Sequence, residues 1–118
     1  MKVYVYFNLH KKCFSVKAMD GPEKGRVIAH RKYVGLKNAR PKVSEAGRQR
    51  VISEKRKNVH AGIVGEWTDV IAGCTERVSY NPYRGPCFYS VATGLDWESQ
   101  ADYVFMESFE NKARVYKS

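Results

Sequence analysis

Residues 3 to 7, Val3-Tyr4-Val5-Tyr6-Phe7, join β-branched to aromatic side chains, and Cys13-Phe14-Ser15-Val16-Lys17-Ala18-Met19 then alternates apolar and polar with a period of two. A period of two lines up every second side chain on one side of an extended backbone, as a strand requires and a helix does not. Only Asn8-Leu9-His10-Lys11-Lys12 separates the runs, so they are expected to pair as an antiparallel hairpin. A slip of one residue would turn each apolar set to the wrong face, which holds the register.

Shorter runs of the same kind follow. Asp20-Gly21-Pro22-Glu23-Lys24-Gly25 has the glycine and proline density of a loop, Arg26 to His30 reads as a third strand, and Tyr33 to Leu36 as a weaker fourth. Val59 to Trp67 is strand-like, with Gly62 and Gly65 marking a bulge or a close backbone approach. Arg77 to Tyr80, Cys87 to Val91, Tyr103 to Met106 and Ala113 to Tyr116 complete the set. Many short strands and 118 residues, the length of one ordinary domain, predict a single domain over residues 1 to 118. The expected class is α+β: a β-rich small barrel or curved antiparallel sheet with one short basic helix. No internal repeat or long linker interrupts the chain.

That helix is expected over Val43 to Asn58. Ser44 is placed to cap its N-terminus, Glu45 opposes the dipole in the first turn, Lys55, Arg56 and Lys57 suit the last turn, and Asn58 terminates it. Its apolar positions are few, Val51 and Ile52 with Ala46, so most of its circumference is left for water or a partner.

Charge points to the same place. Residues 23 to 58 hold twelve Lys or Arg against three acidic residues, a surplus equal to the net +9 of the whole chain, whereas residues 59 to 118 hold five against eight. Such a concentration attracts phosphate-rich partners, with an attraction that salt weakens. Arg48 and Lys55 are seven residues apart, as are Arg50 and Lys57, so each pair follows one stripe of the helix. Arg48, Arg50, Lys55, Arg56 and Lys57 are therefore the expected contacts to nucleic acid or to a protein partner, and the cations of the preceding strands are expected to be solvated. Tyr83 and Arg84 join them at the tip of Tyr80-Asn81-Pro82-Tyr83-Arg84-Gly85-Pro86-Cys87-Phe88-Tyr89, where prolines and a glycine set a rigid turn among rings able to stack on bases. The other rings of that segment are expected in the core.

No catalytic residue is indicated. His10, His30 and His60 each follow an apolar run, without metal-binding spacing, and the sequence has neither a nucleophile elbow nor a phosphate-binding glycine loop. Cys13, Cys74 and Cys87 are an odd number without C-x-x-C spacing and are expected to be reduced and mostly buried. No metal and no cofactor are expected. No apolar run approaches the length of a membrane span and the N-terminus lacks a signal-peptide core, so a membrane partner is not expected.

Val3 to Lys12, Lys24 to His30 and Ser44 to His60 together resemble a group of small, uncharacterised bacteriophage proteins. The resemblance implies a viral accessory protein acting in the cytoplasm of a bacterial host, and brings no activity, site or fold with it. Three functions are compatible with all of this. The first is binding of nucleic acid through the cationic helix. The second is inhibition of a host defence or nucleic-acid-processing protein, in the anti-CRISPR-like or another anti-defence manner. The third is a small nuclease using two of the histidines.

Overall fold

A computed structural model describes residues 1–54, 61–84 and 87–118. The expected hairpin is present: β1 (Lys2–Asn8) pairs antiparallel with β2 (Cys13–Ala18), Val5 opposite Val16, with Lys12 at φ 56° in the turn. β3 (Val27–Arg31) adds to β2, and β4 (Tyr33–Val43) leads into the helix α1 (Glu45–Glu54). β5 (Ala61–Trp67), β6 (Glu76–Tyr80), β7 (Phe88–Ser90), β8 (Ala101–Phe109) and β9 (Lys112–Lys117) complete a nine-stranded sheet in the order β3-β2-β1-β5-β4-β8-β9-β6-β7.

Two expectations are corrected here. The sheet does not close, so there is no barrel: β3 and β7 stand at its two edges. The class is not α+β either but nearly all antiparallel sheet, because the described helix has ten residues and buries only Gly47. Val43 ends a strand instead of starting the helix. The fourth strand is the longest of all at eleven residues. Its length is masked in the sequence by Asn38, a left-handed residue (φ 50°) at a shift in the β4–β5 register, which breaks the alternation, and by Pro41, normally excluded from central strands. Pro41 is tolerated because pairing with β8 ends at Ala39, leaving the rest of β4 with β5 alone.

The sheet is strongly curled. β3 and β4 lie four strand positions apart, about 19 Å on a flat sheet, yet only Lys32 separates them in the chain, a span of about 7 Å. Curling brings β8 back to the hairpin, where the Ser108 amide donates to Lys32 O and the Ser108 hydroxyl to Lys12 O, both at 2.8 Å. The concave side is the core: Val5, Phe14, Val16, Leu36, Ile63 and Val104 are all within 2% of full burial. Burial of a side chain of this size stabilises by roughly 1.5–3 kcal/mol. Gly62 and Gly65 allow the close approach expected of them. A Cβ on Gly62 would lie 2.5 Å from Val5 O and 2.7 Å from the Tyr4 ring, and one on Gly65 would lie 3.0 Å from the Ala39 Cβ.

Candidate nucleic-acid interface

The helix starts as its sequence requires. Ser44 Oγ accepts from the Gly47 amide at 3.3 Å and Ser44 O from the Arg48 amide at 2.9 Å. Arg48 then turns inward. Its side chain is only 12% exposed, its Nε donates to Pro82 O at 2.7 Å and its Nη1 lies 2.6 Å from Glu45 Oε1. Hydrogen bonds from Gln49 and Arg48, in that order, hold the Glu45 carboxyl below the usual glutamate range. Thus α1 and the Pro82 turn, 34 residues apart in sequence, meet through one guanidinium. Burial pushes the neighbouring Cys87 thiol up, and Arg48 opposes that rise.

Arg84 is engaged as well. Its Nε and Nη2 reach Asp96 Oδ1 at 3.1 and 2.5 Å, Nη2 donates to Gly94 O at 2.9 Å, and the guanidinium carbon is 4.4 Å from the Tyr89 ring centre. Two of the expected contact residues therefore hold the fold together. Arg50 and Tyr83 are left facing outward, Tyr83 at 67% exposure with its amide on Asn81 Oδ1 at 2.9 Å. Lys55, Arg56 and Lys57 lie outside the described residues, as do the Asn58 terminator and His60. Phe88 packs against Tyr80 and, edge-on, against Trp97, so that ring serves the core.

A second group of cations, expected only to be solvated, has a definite arrangement. Lys37, Arg40 and Lys42 are exposed along β4, and among the described residues none has a carboxylate within 4.0 Å. Registration builds rows from them across the outer face. Arg40 is opposite Val64, Val64 opposite Tyr4, and Tyr4 opposite Lys17; in the next row Lys37 is opposite Glu66 on one side and Tyr103 on the other. At the other end of β4, Tyr33 is 63% exposed and stacks on Phe105 with centroids 6.2 Å apart and planes at 8°. Tyr4 and Tyr6 form a further ring pair at 5.9 Å. Burial, with the Tyr6 hydroxyl beside it, raises the Tyr4 pKa to about 12. The alternation of Lys37, Ala39 and Arg40 across the Asn38 irregularity was the available signal in the sequence. It reads as two short polar pieces until the register is known.

The remaining candidates have ordinary surroundings. His30 Nδ1 lies 3.1 Å from Ser15 Oγ, and His10 sits in the β1–β2 turn with its amide on Asn8 Oδ1 at 3.0 Å. Among the described residues no three His, Cys, Asp or Glu side chains are grouped to hold a metal, and no helix is long and apolar enough to cross a membrane. Of the three cysteines only Cys87 is buried; Cys13 and Cys74 are partly exposed, against the expectation that most would be buried.

Comparison with known proteins matches residues 1–115 to the family described as Mycobacterium phage L5 gene 82 protein. The gene 82 protein of Mycobacterium phage L5 is 41% identical over 101 residues, covering 79% of this chain and 80% of that one. No solved structure matches.

Proposed function

For a chain that belongs to the family of the Mycobacterium phage L5 gene 82 protein, and is thus a phage protein, we propose binding of single-stranded nucleic acid along the outer face of β4. The observation that carries this reading is the make-up of that one strand. It has an exposed ring at one end, Tyr33, stacked on the half-buried Phe105 of β8, and three exposed cations without acidic partners among the described residues at the other (Lys37, Arg40, Lys42). Cations neutralise phosphates and exposed rings stack on unpaired bases, each base worth about 1–3 kcal/mol in such sites. Arg50, exposed on α1, and Lys17, in the row that runs from Arg40 through Val64 and Tyr4, are further cations on the described chain. A strand of eleven residues is about 36 Å long, enough to follow several nucleotides. Single strands are favoured over duplex because Arg48 is spent on Pro82 and Glu45, so that among the described residues of the helix Arg50 is the one outward cation offered to a groove.

The test is fluorescence anisotropy with labelled single-stranded DNA, single-stranded RNA and duplex DNA, at low and at moderate salt. Binding to a single strand that weakens steeply with salt is expected. No anisotropy change at low salt with any of the three would end this reading.

A further inference from the structure

We infer that residues 68–71 form a strap that completes, with Tyr33, a seat for one unpaired base, which rests on the proposed binding of a single strand. The β4–β5 ladder runs one residue past the pair of Leu36 with Trp67, the Thr68 amide donating to Gly35 O at 3.0 Å. The chain then crosses the outer face of β4. Gly35 shares that face with Tyr33 and Lys37, two residues to either side, while Val34 and Leu36 point into the core. Where Gly35 has no side chain, Ile71 fills the place: a Cβ there would run into Ile71 Cδ1 and lie 2.7 Å from Thr68 O. The Val70 amide donates to Thr68 Oγ1 at 3.1 Å, which fixes the turn of the strap.

Ile71 therefore lies between the stacked rings and the cations. Gly35 is opposite Phe105 in the β8 register, and Tyr33 stacks on that same Phe105. Lys37 follows Gly35 on the outer face after two residues of extended chain, about 7 Å. The strap shows its apolar side chains to solvent, Val70 at 64% exposure and Ile71 at 37%. Tyr33, Phe105, Ile71 and Val70 are thus one contiguous surface, and contiguous exposed apolar surface marks a binding site where scattered single residues do not. A base laid on Tyr33 covers this surface with an edge against Ile71, and its phosphate meets Lys37. Asp69, exposed on the strap, repels phosphate and leaves it to the cations. A base is favoured over an apolar protein segment because the row of Lys37, Arg40 and Lys42 continues from the seat and matches a phosphate backbone.

Fluorescence anisotropy of the whole chain at low salt, with a labelled thymidine homopolymer and an abasic strand of the same length and charge, tests the seat. The intact strand should bind at least about tenfold more tightly, because the seat acts on bases and the cations on phosphates. Val70→Ser and Ile71→Ala should each weaken the intact strand about fivefold and leave the abasic one unchanged, whereas Lys37→Ala should weaken both alike. Equal binding of the two strands would overturn the seat and leave phosphate binding in place. Folded Val70→Ser and Ile71→Ala proteins that bind the intact strand as the parent does would overturn it too, and would assign the apolar surface to a protein partner. If neither strand binds, the nucleic-acid reading fails and the seat with it. Should Ile71→Ala fail to fold by circular dichroism, the strand comparison and the exposed Val70→Ser decide the matter.

Discussion

Two side chains show how burial changes the work of a residue type. Arg48 looks from its neighbours like one more surface cation, yet it is a tether: replacing it by Ala strands Pro82 O and leaves Glu45 with Gln49. Arg48→Ala should cost about 2 kcal/mol in a urea titration, and Arg48→Lys should recover little of it, because a single ammonium cannot reproduce both fixed hydrogen bonds. The Arg48–Glu45 part of this tether also depends on pH. The Glu45 carboxyl is held below its ordinary value, so its contribution is present above the unfolded pKa near 4.3 and is lost as pH falls through the folded value. Tyr4 has the opposite dependence. Its folded pKa is raised from 10.0 to about 12, so its contribution is whole below pH 10 and declines as pH climbs toward 12. Titration by tyrosinate absorbance should show a step that comes late, near 12, and Tyr4→Phe should delete that step.

At the scale of elements, β4 matters more than its composition suggests. It pairs with β8 alone from Tyr33, is flanked on both sides from Leu36 to Ala39, and continues beyond that paired with β5 alone, its cations turned outward. Replacing Lys37, Arg40 and Lys42 together by Ala should reduce the slope of log affinity against log salt by about 2 for a single strand, at roughly 0.7 for each phosphate no longer neutralised. Because these side chains are exposed, the same variant should keep its stability within about 0.5 kcal/mol per site. An unchanged slope would move the binding away from β4. The helix, by contrast, is joined to the rest of the described molecule by Arg48 reaching Pro82, and of its own cations in the described range only Arg50 is turned outward.

For the whole molecule, continuity of the sheet is the governing fact. All nine strands are joined edge to edge, and the curl is fastened where Ser108 bonds Lys12 and Lys32. We propose that residues 1 to 118 fold as one cooperative unit. The two tryptophans sit far apart in the strand order, Trp67 on β5 and Trp97 packed on Phe88 of β7. Trp67→Phe leaves Trp97 as the reporter and Trp97→Phe leaves Trp67. In each variant the fluorescence midpoint in urea should coincide with its own circular dichroism midpoint. Separate fluorescence and dichroism midpoints within one variant would divide the sheet into independent parts.

Sequence alone determined what depends on neighbours along the chain. Alternation placed the β1–β2 hairpin, Ser44 announced the start of the helix, Gly62 and Gly65 marked a bulge or a close approach, and Val3 to Lys12, Lys24 to His30 and Ser44 to His60 carried the resemblance to phage proteins, where the family match covers residues 1–115. Tertiary structure decided whatever depends on residues far apart in the chain. Whether strands close into a barrel depends on which edges meet, and β3 and β7 do not. Whether an arginine is free depends on a carbonyl 34 residues away or an aspartate 12 away, and for Arg48 and Arg84 those partners are present. A cation's sequence position records its charge but not its acceptor. For that reason the proposed binding rests, within the described residues, on the cations of β4 more than on those of α1.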